Sequence, residues 1–208
     1  LLDNKFIDNE KYQELKKSKI NLKKKEKVFL EDAQYYIEDV RKNIIKKLTY
    51  EKVYKQGFNI NTPINLELQK IATKSLRDGL IKYDKRKGWH GVLENRKYSN
   101  DWFIGLEKFK LEDSINWKLA IVKKINKFSA QIETIDKIKG EINYSDITWT
   151  KKEFDDLLDL GDIIYVKKKD NHKYSLKQIP KINGGIVVMD PYTGRVLALS
   201  GGFSFKSS

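Results

Sequence analysis

The sequence predicts an α+β protein, with helices in the first half, a small Greek-key β-barrel in the second and a β-hairpin near residue 200. Three observations predict it. Apolar residues recur at steps of three and four between residues 29 and 80, the period of a helix face. From residue 119 to 178, short β-branched runs alternate with turn residues. Two apolar stretches, GGIVVMD and RVLALSGG, are then joined by the turn PYTG.

The first half justifies its helices one by one. Asp8 is placed to cap a short helix running to residue 18, because a carboxylate there accepts from unpaired backbone amides. The stretch KKSKINLKKKEK has no apolar period and reads as a charged connector. Over residues 29–48 the set Phe29, Leu30, Ala33, Tyr36, Ile37, Val40, Ile44, Ile45 and Leu48 predicts one buried helix face. Gly57 breaks that pattern, and residues 58–61 read as a short strand, the natural partner for the later hairpin. Asn65 caps a second long helix with the face Leu68, Ile71, Ala72, Ser75, Leu76 and Gly79 or Leu80, ended by Gly88 after a basic last turn.

The second half predicts strands at 119–125, 130–135 and 138–143, a helix over KKEFDDLLDL capped by Thr150, and strands in GDIIYVKK and HKYSLKQI. Three strands, a helix and two strands is the order of the OB-fold, although a six-stranded meander reads similarly. IVVM is apolar on both faces, so that strand is expected to be buried on both sides. The hairpin therefore either joins a sheet from earlier in the chain or awaits further sequence, and the chain reads as a truncated one.

The 208 residues contain no cysteine and two histidines, His90 and His172, which excludes thiolate zinc sites, cysteine nucleophiles and three-histidine metal centres. No apolar run reaches the roughly 18 residues of a membrane helix. The net charge of +13 is concentrated early: residues 1–92 carry 22 basic and 13 acidic side chains, residues 93–182 carry 18 and 15. It reads either as solvated surface or as attraction to an anionic partner. The run at residues 16–27 is accordingly a solvated connector or a segment lying near anionic lipid headgroups.

Chemistry is sparse. There is no Ser-x-x-Lys, Gly-x-Ser-x-Gly, His-Glu-x-x-His or phosphate loop. Ser114-Ile115-Asn116 matches a three-residue pattern that chance supplies readily. His90 in GWHGV reads as a loop hydrogen-bonder and His172 as exposed turn. Asp155, Asp156, Asp159 and Asp162 lack the spacing of a calcium loop and read as a solvated helix face. No catalytic, cofactor-binding or metal residue is assigned, and no cofactor is expected. A nucleic-acid-binding OB module is the alternative function. The weak charge of residues 93–182 and the lack of aromatics in SAQIETI and IKGEIN argue against it, so no nucleic-acid partner is expected.

Four ordered segments carry a family resemblance. GGIVVMDPYTGRVLALSGGFSF resembles the opening of the transpeptidase domain in class A penicillin-binding proteins, with Asp190, Gly194, Ala198, Gly201 and Gly202 in the motif positions. NTPINLELQKIATKSLRDGLIKYDKRKGWHGV is similar to the helix and Tyr-Asp-x-Arg-x-Gly segment of the 1A type, with His90 where an arginine is usual. A looser match places Gln178 and Pro180 where the OB-like insertion returns to the transpeptidase, and FIDNEKYQELKK resembles the helix after the glycosyltransferase domain.

The resemblance implies a helical linker at 1–56 and a strand and helix on the transpeptidase side at 57–92. It also implies an OB-like inserted barrel at 93–182 and the truncated start of a transpeptidase β-sheet at 183–208. It implies a parent that polymerises and crosslinks peptidoglycan in cell-wall synthesis, anchored in the inner membrane with its domains in the periplasm, and so acting on cell shape. The segment's expected partners are the parent's glycosyltransferase and transpeptidase domains, with a periplasmic regulatory lipoprotein as a candidate docking partner. Residues 57–80 and 184–202 are expected to meet, with the barrel projecting from them.

Overall fold

The computed structural model describes residue 2, residues 4–17 and residues 31–206. Most of the basic run at 16–27, together with Phe29 and Leu30, lies outside the described residues. Helix α1 (Asn9–Lys17) begins as expected, with the Lys11 amide donating to the Asp8 carboxylate at 2.7 Å. A 3-10 turn (Glu31–Ala33) leads into α2 (Gln34–Leu48), followed by α3 (Tyr50–Lys55). Of the predicted face, Ala33 and Tyr36 are buried, whereas Ile37 is 52% exposed.

Helix α4 (Leu66–Lys85) organises the molecule. Its N-cap is Asn65, whose side chain accepts from the amides of Glu67 and Leu68. The face it buries is rotated from the predicted one: Gln69, Ala72, Thr73, Leu80 and Asp84 are inside, and Ile71 is 61% exposed. Apolar periodicity could not find that face because three of its five members are polar. They are buried because backbone carbonyls, amides and side chains of other segments satisfy them.

The barrel is built from β1 (Glu94–Asn95), β2 (Lys118–Asn126), β3 (Ser129–Thr134), β4 (Lys139–Asn143), the short α5 (Phe154–Leu157), β5 (Asp162–Asp170) and β6 (Lys173–Lys177). The strand order is β1-β5-β2-β3-β4-β6, and the pairing of β5 with β6 closes the ring. All pairings are antiparallel except β4–β6, which is parallel. Thr150 does not cap α5. Its hydroxyl donates to the Ile147 carbonyl at 2.7 Å, and Glu153 holds the N-cap position.

The central strands are buried on both sides. In β2, Ala120 and Val122 point into the barrel core with Ile132, Ile142, Phe154, Ile164 and Leu176. Leu119 and Ile121 point outward into a second core with Ile163, Tyr165, Trp102, Leu106, Leu80 and Phe203. This explains the unbroken apolar runs LAIV and IIYV, since each strand serves two cores. The aromatics ahead of the barrel, Trp102, Phe103, Phe109 and Trp117, belong to this second core or pack against it.

The last elements are β7 (Ile186–Met189) and β8 (Val196–Ser200), an antiparallel hairpin. Here two expectations are corrected. No strand forms at residues 58–61, and among the described residues the hairpin has no third strand. IVVM is covered on one face only, leaving Val187 58% and Met189 57% exposed. The cover is α4 with Tyr36 of α2 rather than a strand. The chain just before α4 supplies one bond, from the Asn65 amide to the Leu197 carbonyl at 2.9 Å.

Candidate functional site

The residues with the densest buried polar bonding hold three segments together, at the junction of helix, barrel and hairpin. Asp84, in the last turn of α4, is 1% exposed. Its carboxylate pairs with His90 Nε2 at 2.9 Å and accepts from Gln178 Nε2 at 2.7 Å and the Lys181 amide at 3.1 Å. Gln178 also donates to the Gly88 carbonyl at 2.9 Å and accepts from the His90 amide at 3.0 Å. One carboxylate therefore straps the chain leaving the helix to the chain returning from the barrel. Gly88, at φ +91, permits the turn between them.

Two further clamps secure the hairpin. Gln69 Nε2 donates to the Leu199 carbonyl at 2.9 Å, and the Leu199 amide donates to Gln69 Oε1 at 2.9 Å. Glu112, 1% exposed, accepts from the Ser204 hydroxyl at 2.7 Å and the Lys206 amide at 3.0 Å. Burial pushes the Glu112 carboxyl up, but the bonds from Ser204 and from the backbone amides outweigh it and hold the group below its usual range. Arg77 links the same parts, donating to the Phe203 carbonyl at 2.8 Å and the Ser114 hydroxyl at 3.0 Å.

The weighed chemical candidates fall into structural places. Ser114 is held by Arg77 and by the Glu31 carboxylate, which accepts from its amide at 2.9 Å. His90 sits in the loop after α4, but its bonds reach out of that loop, to Asp84 on the helix and to Gln178. His172 is exposed, at φ +57, with Nδ1 3.0 Å from the Lys139 carbonyl. Asp162 is not solvated: it is 4% exposed, accepting from Asn95 Nδ2 at 2.8 Å and the Asp159 amide at 2.7 Å. Among the described residues no group of three or more His, Asp or Glu side chains could hold a metal ion. No described helix is long and apolar enough to cross a membrane.

Sequence reasoning missed Gln69, Glu112 and the role of Asp84. The one available signal was their phase: Gln69, Ala72, Thr73, Leu80 and Asp84 share a helical period that includes polar residues. Beside the barrel lies a groove of about 770 Å³ lined by Phe103, Phe109, Trp117, Tyr165 and Lys110 among others. Burial pushes the Tyr165 hydroxyl up to about 12, and that hydroxyl donates to the Phe109 carbonyl at 2.6 Å.

Comparison with known proteins agrees with this architecture. Residues 89–182 match the family described as the penicillin-binding protein OB-like domain. The chain is 36% identical over 209 residues to penicillin-binding protein 1A of Rickettsia prowazekii, covering 98% of this chain and 26% of that protein. It is 29% identical to penicillin-binding protein 1A of Haemophilus influenzae, covering 100% of this chain and 25% of that one. A crystal structure of the Haemophilus influenzae protein superimposes with a TM-score of 0.73 and 30% identity, covering 100% of this chain and 31% of that chain. The chain spans about a quarter of the length of the curated relatives it matches. Barrel order, family match and similarity along the whole of this chain agree in supporting a segment of a class A penicillin-binding protein of the 1A type, with residues 89–182 matching the OB-like domain.

Proposed function

We propose that this chain is a non-catalytic interdomain segment of a peptidoglycan synthase that polymerises glycan strands and crosslinks stem peptides on the periplasmic side of the inner membrane. In this reading residues 1–56 are a helical linker and residues 57–92 and 183–208 form one transpeptidase-side unit. Residues 93–182 are a barrel inserted between them. The observation that carries it is the Asp84 strap combined with the packing of α4 on β8. The helix and the hairpin are bonded to each other through Gln69 and Leu199, so the barrel is an excursion from a continuous support.

The segment's role is then to set the spacing between the parent's two catalytic domains. The barrel's outer groove, with its aromatic walls, supports a second role as the docking place of a periplasmic regulatory lipoprotein. Labelled β-lactam incubated with the purified chain tests the non-catalytic reading. No covalent capture is expected, because the sequence carries no Ser-x-x-Lys nucleophile motif. A stable adduct overturns it. For docking, site-specific crosslinkers at Phe103 and Lys110 in the full-length parent are expected to capture an outer-membrane lipoprotein, whereas crosslinkers at the opposite Phe128 turn are not.

A further inference from the structure

The link from the barrel to the hairpin holds a reactive pair of residues. Residues 182–185 form neither helix nor strand, and Asn183 is exposed among them. Of the chain's asparagines, only Asn183 is followed by a glycine. The Gly184 amide donates to Asn183 Oδ1, the carboxamide oxygen of the preceding side chain, at 2.9 Å. Among the described residues that amide has no backbone acceptor, and Asn183 Nδ2 donates to nothing. Asparagines nearby in the fold are held for other tasks. Asn65 accepts from the amides of Glu67 and Leu68, and Asn95 Nδ2 donates to the Leu160 carbonyl and to Asp162.

The contact places a nucleophile beside an electrophile. The Gly184 nitrogen lies against the Asn183 carboxamide, and its hydrogen bond to Oδ1 draws electrons from Cγ. Glycine has no Cβ to obstruct ring closure, and its backbone turns freely. Once solvent base takes the Gly184 amide proton, the nitrogen's electron pair bonds to Cγ and closes a five-membered imide. The Cγ–Nδ2 bond breaks, and Nδ2 takes up a proton and leaves as ammonia. Water then adds to one of the two imide carbonyls, and the bond from that carbon to nitrogen opens. Opening at Cγ leaves aspartate at position 183. Opening at the main-chain carbon leaves isoaspartate, with the chain routed through Cβ and Cγ. The balance is one water consumed and one ammonia released. Either product sets a carboxylate between Lys181, tied to Asp84, and Ile186, where β7 begins. The isoaspartyl form also adds a methylene to the main chain there.

We propose that Asn183–Gly184 is a modification site, at which the folded chain deamidates through an imide and ages the joint between barrel and hairpin. The site stands apart from the interdomain role and does not rest on it. The 208-residue chain is incubated in mildly alkaline buffer, folded and in parallel in urea. Its peptides are mapped by mass spectrometry, with electron-transfer fragmentation to tell isoaspartate from aspartate. Asn183 in the folded chain is expected to convert within roughly tenfold of its rate in urea, since no Cβ stands in the way in either state. Isoaspartate is expected as the major product, while Asn65 and Asn95 stay intact. Gly184→Ala is expected to slow conversion by roughly tenfold or more, because the added Cβ crowds the ring closure. In the fold that Cβ meets Leu80 at 3.5 Å and Leu76 at 3.7 Å, ordinary contacts that the packing accommodates. The product ratio in the unaltered chain decides independently of how the variant folds. An Asn183 that stays intact in the folded chain, aspartate as the only product, or an unchanged rate in Gly184→Ala overturns the proposal.

Discussion

The side chain of Gln69 pairs with the backbone of Leu199 as a neighbouring strand would, donating to its carbonyl and accepting from its amide, both at 2.9 Å. A helix thereby completes the hydrogen bonding of a strand edge without a strand. Replacing it with leucine keeps the bulk but orphans both groups, and each buried unsatisfied group costs about 1–3 kcal/mol. Gln69→Leu is expected to lower stability by roughly 2–4 kcal/mol in urea denaturation. Hydrogen exchange at the Leu199 amide is expected to accelerate beyond that of its neighbours in β8.

Asp84 makes a stronger demand. Removing its carboxylate leaves His90, Gln178 and the Lys181 amide without their acceptor. Asp84→Ala is expected to cost about 3 kcal/mol or more, the range for breaking a buried charged network. The barrel itself is expected to keep its own β-sheet signature, so the loss reads out as faster exchange at Lys181 with little change at Ile132 or Ile142.

Glu112 gives the hairpin's attachment a pH dependence. Its carboxyl is held below the ordinary value in the folded chain, so the folded state binds its proton less readily than the unfolded one. The stabilisation is complete above the unfolded carboxyl range of about 4.3 and is lost as the pH falls through the lower folded value. Midpoints measured from pH 7 to pH 3 are expected to fall, and Glu112→Gln is expected to flatten part of that slope.

The barrel's parallel seam depends on Gly140. A Cβ there would lie 2.3 Å from the Tyr174 ring and 3.0 Å from the His172 carbonyl, a clash the seam cannot absorb without shifting. Gly140→Ala is expected to cost about 1–3 kcal/mol, the usual range for overpacking. Amide exchange at Glu141, whose N–H donates to the His172 carbonyl at 2.8 Å, reports whether β4 and β6 have parted.

Much of this was legible in the residues. Asn65 signalled its cap, the β-branched runs gave strands β2 to β6 within a few residues but not the two-residue β1, and the PYTG turn gave the hairpin. What stayed hidden was polar and non-local. Gln69, Asp84 and Glu112 look like surface residues until their partners, between about 90 and 130 positions away, are known. Burial on both faces was expected of IVVM yet belongs to LAIV and IIYV. A run of apolar residues says that a strand has two apolar faces, not that both have found cover. The strand expected at residues 58–61 failed for a related reason: Gln69 and the Asn65 amide already serve the edge it would have used.

Since His90 and Lys181 are tied to the same Asp84 carboxylate, the two ends of the barrel module are neighbours in space. A permuted gene could join them by a short bridge and open the chain at the exposed Lys127–Phe128 tip instead. By the same geometry, modules of other lengths could be grafted at this doorway while the helix and hairpin behind it keep their register. The architecture is that of a socket with an exchangeable fitting.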